Sequence, residues 1–562
     1  MFQWLGKLDR YVPFRYAVWL FCAFAAVAAG VWWYAFGTGG WLAMVFVLLT
    51  MIGLRDVQQA PRSVLRNYPI TGHMRFILEA FRPEIRQYFL ESDTEAAPFS
   101  RQQRSLVYQR AKGDPDKRPF GTQQDLSRIG YEWINHSMTP TTLDSHDFRV
   151  VIGADRAKPY SASVFNISAM SFGALSANAI QALNSGAKRG KFAHDAGEGG
   201  ISRHHLEHGG DLIYEIGSGY FGCRDEDGKF DGERFTEVAA HDAVKMIEVK
   251  LSQGAKPGHG GVLPGEKVTE EIAAARGVPM GEDCLSPASH SAFGTPIELL
   301  EFIDQLRDLS GGKPTGFKLC VGHPWEWFAI AKAMLETGTT PDFIVVDGAE
   351  GGTGAAPLEF SDHVGAPVQE GLLLVHNTLV GLNLRDKVKI GCAGKVVSAF
   401  DIARMIAIGA DWCNAARGFM FALGCIQAQS CHTGHCPTGV ATQDKARQRA
   451  LVVPDKGERV YQFHQQTLFA LKELVEAAGL SHPAELTASH IVRRHSQANT
   501  KLLANLLTFI KPGSILDGTV DLPVFTAYWP MAQTHCFGAA AVEPMLVAAN
   551  EAVLVAESHA EG

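Results

Sequence analysis

Apolar and polar residues are unevenly distributed along the chain, and three stretches stand apart. From Tyr16 to Leu54 there is no Asp, Glu, Lys, Arg or His. One helix over those residues would be roughly twice the ~30 Å hydrocarbon core of a bilayer. Gly37-Thr38-Gly39-Gly40 interrupts the run. The pattern therefore predicts a hairpin of two membrane spans, 17–36 and 41–54, the second short. Lys7, Arg10 and Arg15 precede it, and Arg55, Arg62 and Arg66 follow. The positive-inside bias then puts both ends in the cytoplasm and the glycine turn outside. A cleaved signal peptide is the competing reading; a second apolar stretch and the aromatic Trp32-Trp33-Tyr34 speak against it. On this reading residues 1–15 are a cytoplasmic tail, 16–55 the hairpin, and 56–150 a polar, arginine-rich connector.

Beyond the connector, short apolar runs alternate with helical patterns. Runs at 164–168, 247–251, 317–320, 343–347, 388–391 and 411–415 read as strands. Helices are expected from Ser176, near 325–335, and from 296 to about 309. There Thr295-Pro296-Ile297-Glu298 forms a capping box with proline at the first helical position. Repeated strand–helix units imply a parallel sheet, and this many of them over residues 151–450 predict a closed (β/α)8 TIM barrel. An open doubly wound sheet is the alternative, but no G-x-G-x-x-G follows a strand. Residues 451–562 read as a mainly helical extension, patterned as a helix at 460–478 and ending in an Ala/Val-rich segment.

Composition narrows the class. A formal charge of −8 without a basic run argues against a nucleic-acid surface. Ten cysteines in 562 residues form no secreted framework and suit a reducing compartment. The 57 glycines cluster in loops. DGAEGGTG (347–354), GCAG (391–394) and AARG (415–418) close successive expected strands. Free backbone N–H groups there suit a phosphate-bearing cofactor, with plain tight turns as the bland reading. KLSQGAKPGHGG (250–261) carries Lys250, Gln253 and Lys256. Two ammonium groups and an amide can clamp a dicarboxylate, or the lysines can simply be solvated. In GCIQAQSCHTGHCPTGVATQD (424–444) the cysteines Cys425, Cys431 and Cys436 stand at C-x5-C-x4-C, the last before Pro437. Three thiolates so placed suit a cubane iron–sulfur cluster with one open corner, or they are ordinary reduced cysteines.

Together these segments resemble the flavin- and iron–sulfur-containing synthase domain of glutamate synthase. SAMSFGALS (168–176), GEGG (197–200), YEIGSGYFG (214–222), KLSQGAKPGHGG, EGGTGAAPLE (350–359), LVHNTLVGLNLRDKVKI (374–390) and the cysteine segment follow one another in the family's order. The resemblance implies a barrel holding FMN and a [3Fe-4S] cluster ligated by Cys425, Cys431 and Cys436. His432 and His435 lie between these cysteines and could be ligands, but three thiolates suffice, so they read as neighbours of the cluster or as surface groups. It also implies that Met170 and Ser171 lie against the flavin ring and that Lys318 sits near flavin N1. Gly351, Gly352, Gly394, Arg417 and Gly418 would hold the FMN phosphate. Lys250, Gln253 and Lys256 match positions that bind 2-oxoglutarate. The family's GEGGED ends here in Ile201-Ser202, PGEGGQ reads PGHGGV through Val262, and SGRFG reads SGYFG with Tyr220. The chain also begins Met1-Phe2, without the N-terminal cysteine of a glutaminase domain.

The expected activity is reductive amination of a 2-oxo acid, 2-oxoglutarate or a close analogue, by free ammonia or an amine. An external donor, a ferredoxin-like protein or a reductase subunit, would supply electrons on the cytoplasmic face of the plasma membrane. The alternatives are amino-acid or amine oxidation feeding electrons to the membrane, and a non-catalytic electron-transfer subunit.

Overall fold

The computed structural model describes residues 14–94 and 97–540. Most of the expected N-terminal tail and the Ala/Val-rich end lie outside the described residues. The chain divides into two compact units, Met1–Arg101 and Gln102–Gly562. The later part of the expected connector thus belongs with the barrel.

In the first unit, helices Ala17–Phe36 and Gly40–Gln58 each contain an 18-residue stretch of mean hydropathy 1.7. Gly37 and Gly39 reverse the chain at φ of 68° and 83°, a conformation that costs glycine little. The helices run antiparallel: Trp19 Nε1 donates to the Thr50 carbonyl at 3.0 Å, and Phe21 meets Phe46 edge-on. Gly53 makes room for the Trp19 ring, which a Cβ there would strike. The second helix is longer than the expected 41–54. Arg55 and Asp56 continue it, and it stops just before Pro61, which disfavours helix in the residue ahead of it. The connector is not uniformly polar either, since helix Gly72–Ile85 exposes a row of apolar side chains.

The second unit is built on eight parallel strands that close in chain order: β1 Phe165–Ile167, β2 His194–Asp195, β3 Leu212–Ile216, β4 Val244–Lys250, β5 Thr315–Leu319, β6 Phe343–Asp347, β7 Lys389–Ala393 and β8 Trp412–Ala415. The ring closes between β8 and β1, with Cys413 opposite Phe165. This is the (β/α)8 barrel expected from the strand–helix alternation. Ser176 caps helix Ala177–Gly190 by accepting from the Ala179 N–H. Thr295 and Glu298 make both arms of the capping box on Pro296–Leu309.

An antiparallel hairpin, Arg149–Ile152 with Tyr160–Ser163, precedes the first strand. Its Ile152 and Tyr160 pack with Met246, Phe343 and Trp412 in one buried cluster. Gly391 permits this packing, because a Cβ there would overlap the Trp412 indole. The 25-residue helix Val453–Ala477 lies on Ala177–Gly190, where Gly186 receives Val460 closely. The C-terminal extension is not only helical. Strands Ile491–Arg494 and Thr500–Leu502 join Glu132–Ile134 in a small antiparallel sheet, so residues on both sides of the barrel sequence brace each other.

Candidate active site

The loops that leave the C-terminal ends of the strands carry the polar chemistry. After β4, Gly254 donates its N–H to Asp347 Oδ2 at 2.8 Å. A Cβ on Gly254 would collide with the Gly348 carbonyl oxygen. The loop bearing Gln253 and Lys256 is therefore pinned, backbone on backbone, to the glycine loop after β6. Lys250, Gln253 and Lys256 then line one cleft with Glu198, Ser218 and His259.

Glu198 comes from the GEGG loop after β2, and its Oε2 lies 3.0 Å from Lys250 Nζ. Burial alone would raise its carboxyl, but Lys250, Arg276 and Lys256 hold it below the ordinary carboxylate range. Burial pushes the Lys256 ammonium below the ordinary lysine range, against the pull of Glu198. One ammonium of the expected pair is thus already matched by a carboxylate. The cleft keeps one cationic group in excess, which suits a single carboxylate better than two.

Met170 and Ser171 follow β1 and are packed against the same GEGG loop. A Cβ on Gly197 would stand 2.7 Å from the Ser171 nitrogen. Arg276 donates to Ser171 Oγ at 3.4 Å and to the Phe172 carbonyl at 3.3 Å. At the ends of β6, β7 and β8 the expected phosphate residues converge. Gly351 leaves no space for a side chain, because a Cβ would lie 2.8 Å from the Ala255 nitrogen, and one on Gly352 would lie 3.0 Å from an Arg417 guanidinium nitrogen. Gly394 is equally tight against Val368, whereas Gly418 meets only ordinary contacts. Arg417 donates to the Glu350 carbonyl, and burial lowers its guanidinium to about 10. A backbone cradle beside a guanidinium has the donor set that a phosphate needs.

Below the mouth, the barrel holds a group of charges. Lys318, on β5, is paired with Glu215 on β3 and lies 3.4 Å from Glu248 on β4. Carboxylate oxygens of Asp195, Glu215 and Glu248 lie within 4.8 Å of one another. Burial alone would depress the Lys318 ammonium, but Glu215, Glu248 and Asp195 hold it well above its ordinary value. Asp195 is pushed up to about 7 by burial and by Glu215, with Lys318 opposing. Burial likewise raises Glu248 and Asp347. The lysine expected near a flavin ring therefore has its ammonium sunk among carboxylates.

The cysteine segment follows helix Arg417–Leu423. Burial pushes the Cys425 thiol up to about 12, with Cys431 and Cys436 adding to the shift. Burial also raises Cys431. Cys436 is buried too, but backbone N–H groups of Ala441, Thr438 and Val440 bring it below the ordinary thiol range. Gln427 N–H points at Cys425 Sγ at 3.4 Å. The Lys267 ammonium donates to the Cys431 carbonyl at 2.6 Å. Cys431 also abuts the glycine loop after β6, since a Cβ on Gly354 would lie 3.3 Å from its Cβ. Tyr108, in the helix ahead of the barrel, donates to the Cys425 carbonyl at 2.6 Å. His432 and His435 are exposed. N–H donors to sulfur and a neighbouring ammonium are the surroundings of a thiolate that ligates a metal.

Three residues went unassigned in the sequence. Glu198 stands in the matched GEGG, but only Lys250 across the barrel mouth gives it a role. Lys267 carries no local signal. Tyr220, which replaces the family arginine, is fully buried. Its oxygen accepts from Ser291 N at 3.1 Å and Ala292 N at 3.0 Å and meets His290 Nδ1 at 3.1 Å. It secures the 287–293 loop beside the cleft rather than reaching into it.

Comparison with known proteins gives the family. The family described as the conserved region in glutamate synthase matches residues 132–481. The glutamate synthase large subunit-like protein YerD of Bacillus subtilis is 37% identical over 510 residues, covering 83% of this chain and 97% of that protein. The archaeal-type glutamate synthase [NADPH] of Thermotoga neapolitana is 34% identical over 316 residues, covering 56% of this chain and 59% of that protein. The chain thus spans nearly all of the first relative and about three-fifths of the second. Flavocytochrome b2 is similar over 85% of this chain and 96% of its own, at 12% identity and a TM-score of 0.41. On the family match and on YerD, the chain belongs to the glutamate synthase family.

Proposed function

We propose that the protein is a membrane-anchored, FMN- and [3Fe-4S]-dependent oxidoreductase that reductively aminates a 2-oxo acid, 2-oxoglutarate or a close analogue. Free ammonia or a small amine supplies nitrogen, and an external donor, a ferredoxin-like protein or a reductase subunit, supplies electrons. The observation that carries this reading is the single cleft in which Lys250, Gln253, Lys256 and Glu198 meet at the barrel mouth.

The residues fit both groups. The tight backbone at Gly351, Gly352 and Gly394, with Arg417 and Gly418, holds the FMN phosphate, and Met170 and Ser171 flank the ring. Cys425, Cys431 and Cys436 ligate the cluster; a metal supplies the charge that lets the buried Cys425 lose its proton. When bound, FMN provides hydride chemistry and the cluster one-electron transfer.

The chain itself does the rest. Lys256 neutralises the substrate carboxylate, and Gln253 orients the oxo or imino group. Glu198, kept ionised by its cationic neighbours, accepts an N–H of the incoming amine. Its pairing with Lys250 limits the cationic excess of the cleft, which favours oxo acids with one carboxylate near the lysines. The apolar hairpin, 16–55, places residues 56 onward at the cytoplasmic face of the plasma membrane.

Three measurements test this. Protein purified anaerobically in mild detergent carries non-covalent FMN, with iron and sulfide near three and four per chain. Cys431→Ser loses the low-temperature EPR signal of the oxidised cluster while flavin remains. With a reduced dye, a 2-oxo acid and 15N-ammonia, the labelled amino acid forms. Protein that binds neither group after reconstitution, or binds both and forms no labelled product from any oxo acid and amine, contradicts the proposal.

A further inference from the structure

Past the hairpin, helix Gly72–Ile85 runs on into a π-helical turn, Arg86–Leu90. Met74, Ile77, Leu78, Phe81, Tyr88 and Phe89 are exposed, Phe81 at 58% and Phe89 at 82%. At the helical repeat these positions share one face about 120° wide. Arg75, Arg82 and Arg86 stand together along one edge of that face, all exposed. Arg75 pairs with Glu79 at 2.9 Å. So large a contiguous apolar face is costly in water and marks a contact surface.

What covers it follows from where the helix starts. Asp56, the first acidic residue after the apolar run, is buried at 3% exposure. Its carboxylate lies 2.9 Å from His73 Nε2 and accepts the Ile70 N–H at 3.0 Å. The Arg62 guanidinium lies over the Phe76 ring at 4.7 Å. These contacts tie the first turn of the helix to the polar end of the hairpin and turn Phe76 inward, leaving the opposite, apolar face outward. A helix tied at that level, apolar on one face and edged by arginine, has the form of an interfacial segment facing anionic headgroups.

We propose that residues 72–90 form a surface helix that lies in the headgroup region of the cytoplasmic leaflet. Its Met74–Phe89 face enters the acyl boundary, and Arg75, Arg82 and Arg86 contact anionic phospholipid. The inference rests on the reading of the hairpin as membrane-spanning, and its test separates the two.

Full-length protein is reconstituted into phosphatidylcholine vesicles with and without phosphatidylglycerol. A photoreactive benzophenone side chain replaces Val27, Phe81 or Glu79 in turn, and adducts are identified by mass spectrometry. Lipid adducts are expected at Val27 and Phe81 and not at Glu79. Those at Phe81 fall when phosphatidylglycerol is omitted, and Arg82→Gln lowers them roughly fivefold, while those at Val27 do not change. Lipid at Val27 with none at Phe81, or with Phe81 joined to protein of the same or a second chain, overturns the surface helix and leaves the hairpin standing. Lipid at Phe81 without lipid at Val27 overturns the spanning hairpin alone. Lipid at neither overturns both.

Discussion

Lys250 and Lys318 are register partners on adjacent barrel strands, yet they serve opposite charge balances. Lys250 opens toward the cleft, where it and Lys256 face one carboxylate, Glu198. Lys318 points into the barrel, where it faces Asp195, Glu215 and Glu248. A region with excess cation attracts an anionic ligand. A buried region with excess carboxylate must keep protons, which is why Asp195 rises to about 7. One strand pair thus carries a lysine in each of two opposite charge balances, and the partners, not the lysine itself, set which is which.

The sharpest way to break this contrast is to remove the buried cation. Lys318→Met strands carboxylates in the dry interior and should destabilise the protein by about 3–5 kcal/mol. The loss should be smaller at low pH, where those carboxylates take up protons. Thermal unfolding at two pH values, with far-UV circular dichroism as the folding control, measures it.

At the mouth, the same kind of change should spare folding and harm binding. Lys256→Ala should raise the KM for the oxo acid about ten- to a hundredfold, the loss of one charge-assisted contact. FMN content and dye reduction should stay unchanged. If KM is unaltered, Lys256 does not meet the substrate.

Asp195→Asn probes the interior more gently. The folded pKa of about 7 lies above the ordinary 3.8, so the folded state binds this proton more tightly. Its stabilising contribution is full below about pH 4 and is lost as pH rises through about 7. The substitution should remove that slope, up to about 1.4 kcal/mol per pH unit, and leave the variant less pH-sensitive than the parent across this window.

The smallest expected effect is at Glu198. Glu198→Gln frees Lys250 and gives the cleft a second unmatched cation. Selectivity should move severalfold toward dicarboxylic oxo acids, read as the ratio of kcat/KM values for a dicarboxylic and a monocarboxylic substrate. An unchanged ratio would mean that Glu198 does not set the charge of the cleft.

What was legible in the sequence follows the range of the forces involved. The capping box at Thr295, the strand at 343–347 and the glycine loops are local signals, and the structure has them where they were expected. β2 and β3 were missed for physical reasons. His194–Asp195 is too short to show a period, and Leu212–Ile216 carries Glu215, whose charge breaks an apolar run unless its partner is known. That partner, Lys318, lies 103 residues away. The pairing of Glu198 with Lys250 and the turn of Tyr220 onto the 287–293 loop are likewise tertiary. The apolar face at 74–89 did follow the helical period, but the surrounding arginines hid it within a segment that reads as polar by composition.

The most direct test of the proposed chemistry is reoxidation of photoreduced flavin in anaerobic protein, wild type beside Lys256→Ala, with oxo acids and ammonia or small amines added singly and together. The expected result is rapid reoxidation only when an oxo acid and a nitrogen source are both present, slowed in the variant and restored by high oxo-acid concentration. Reoxidation by a quinone or a redox protein, with none by any oxo acid and amine pair, would contradict imine reduction and leave electron transfer as the function of the barrel.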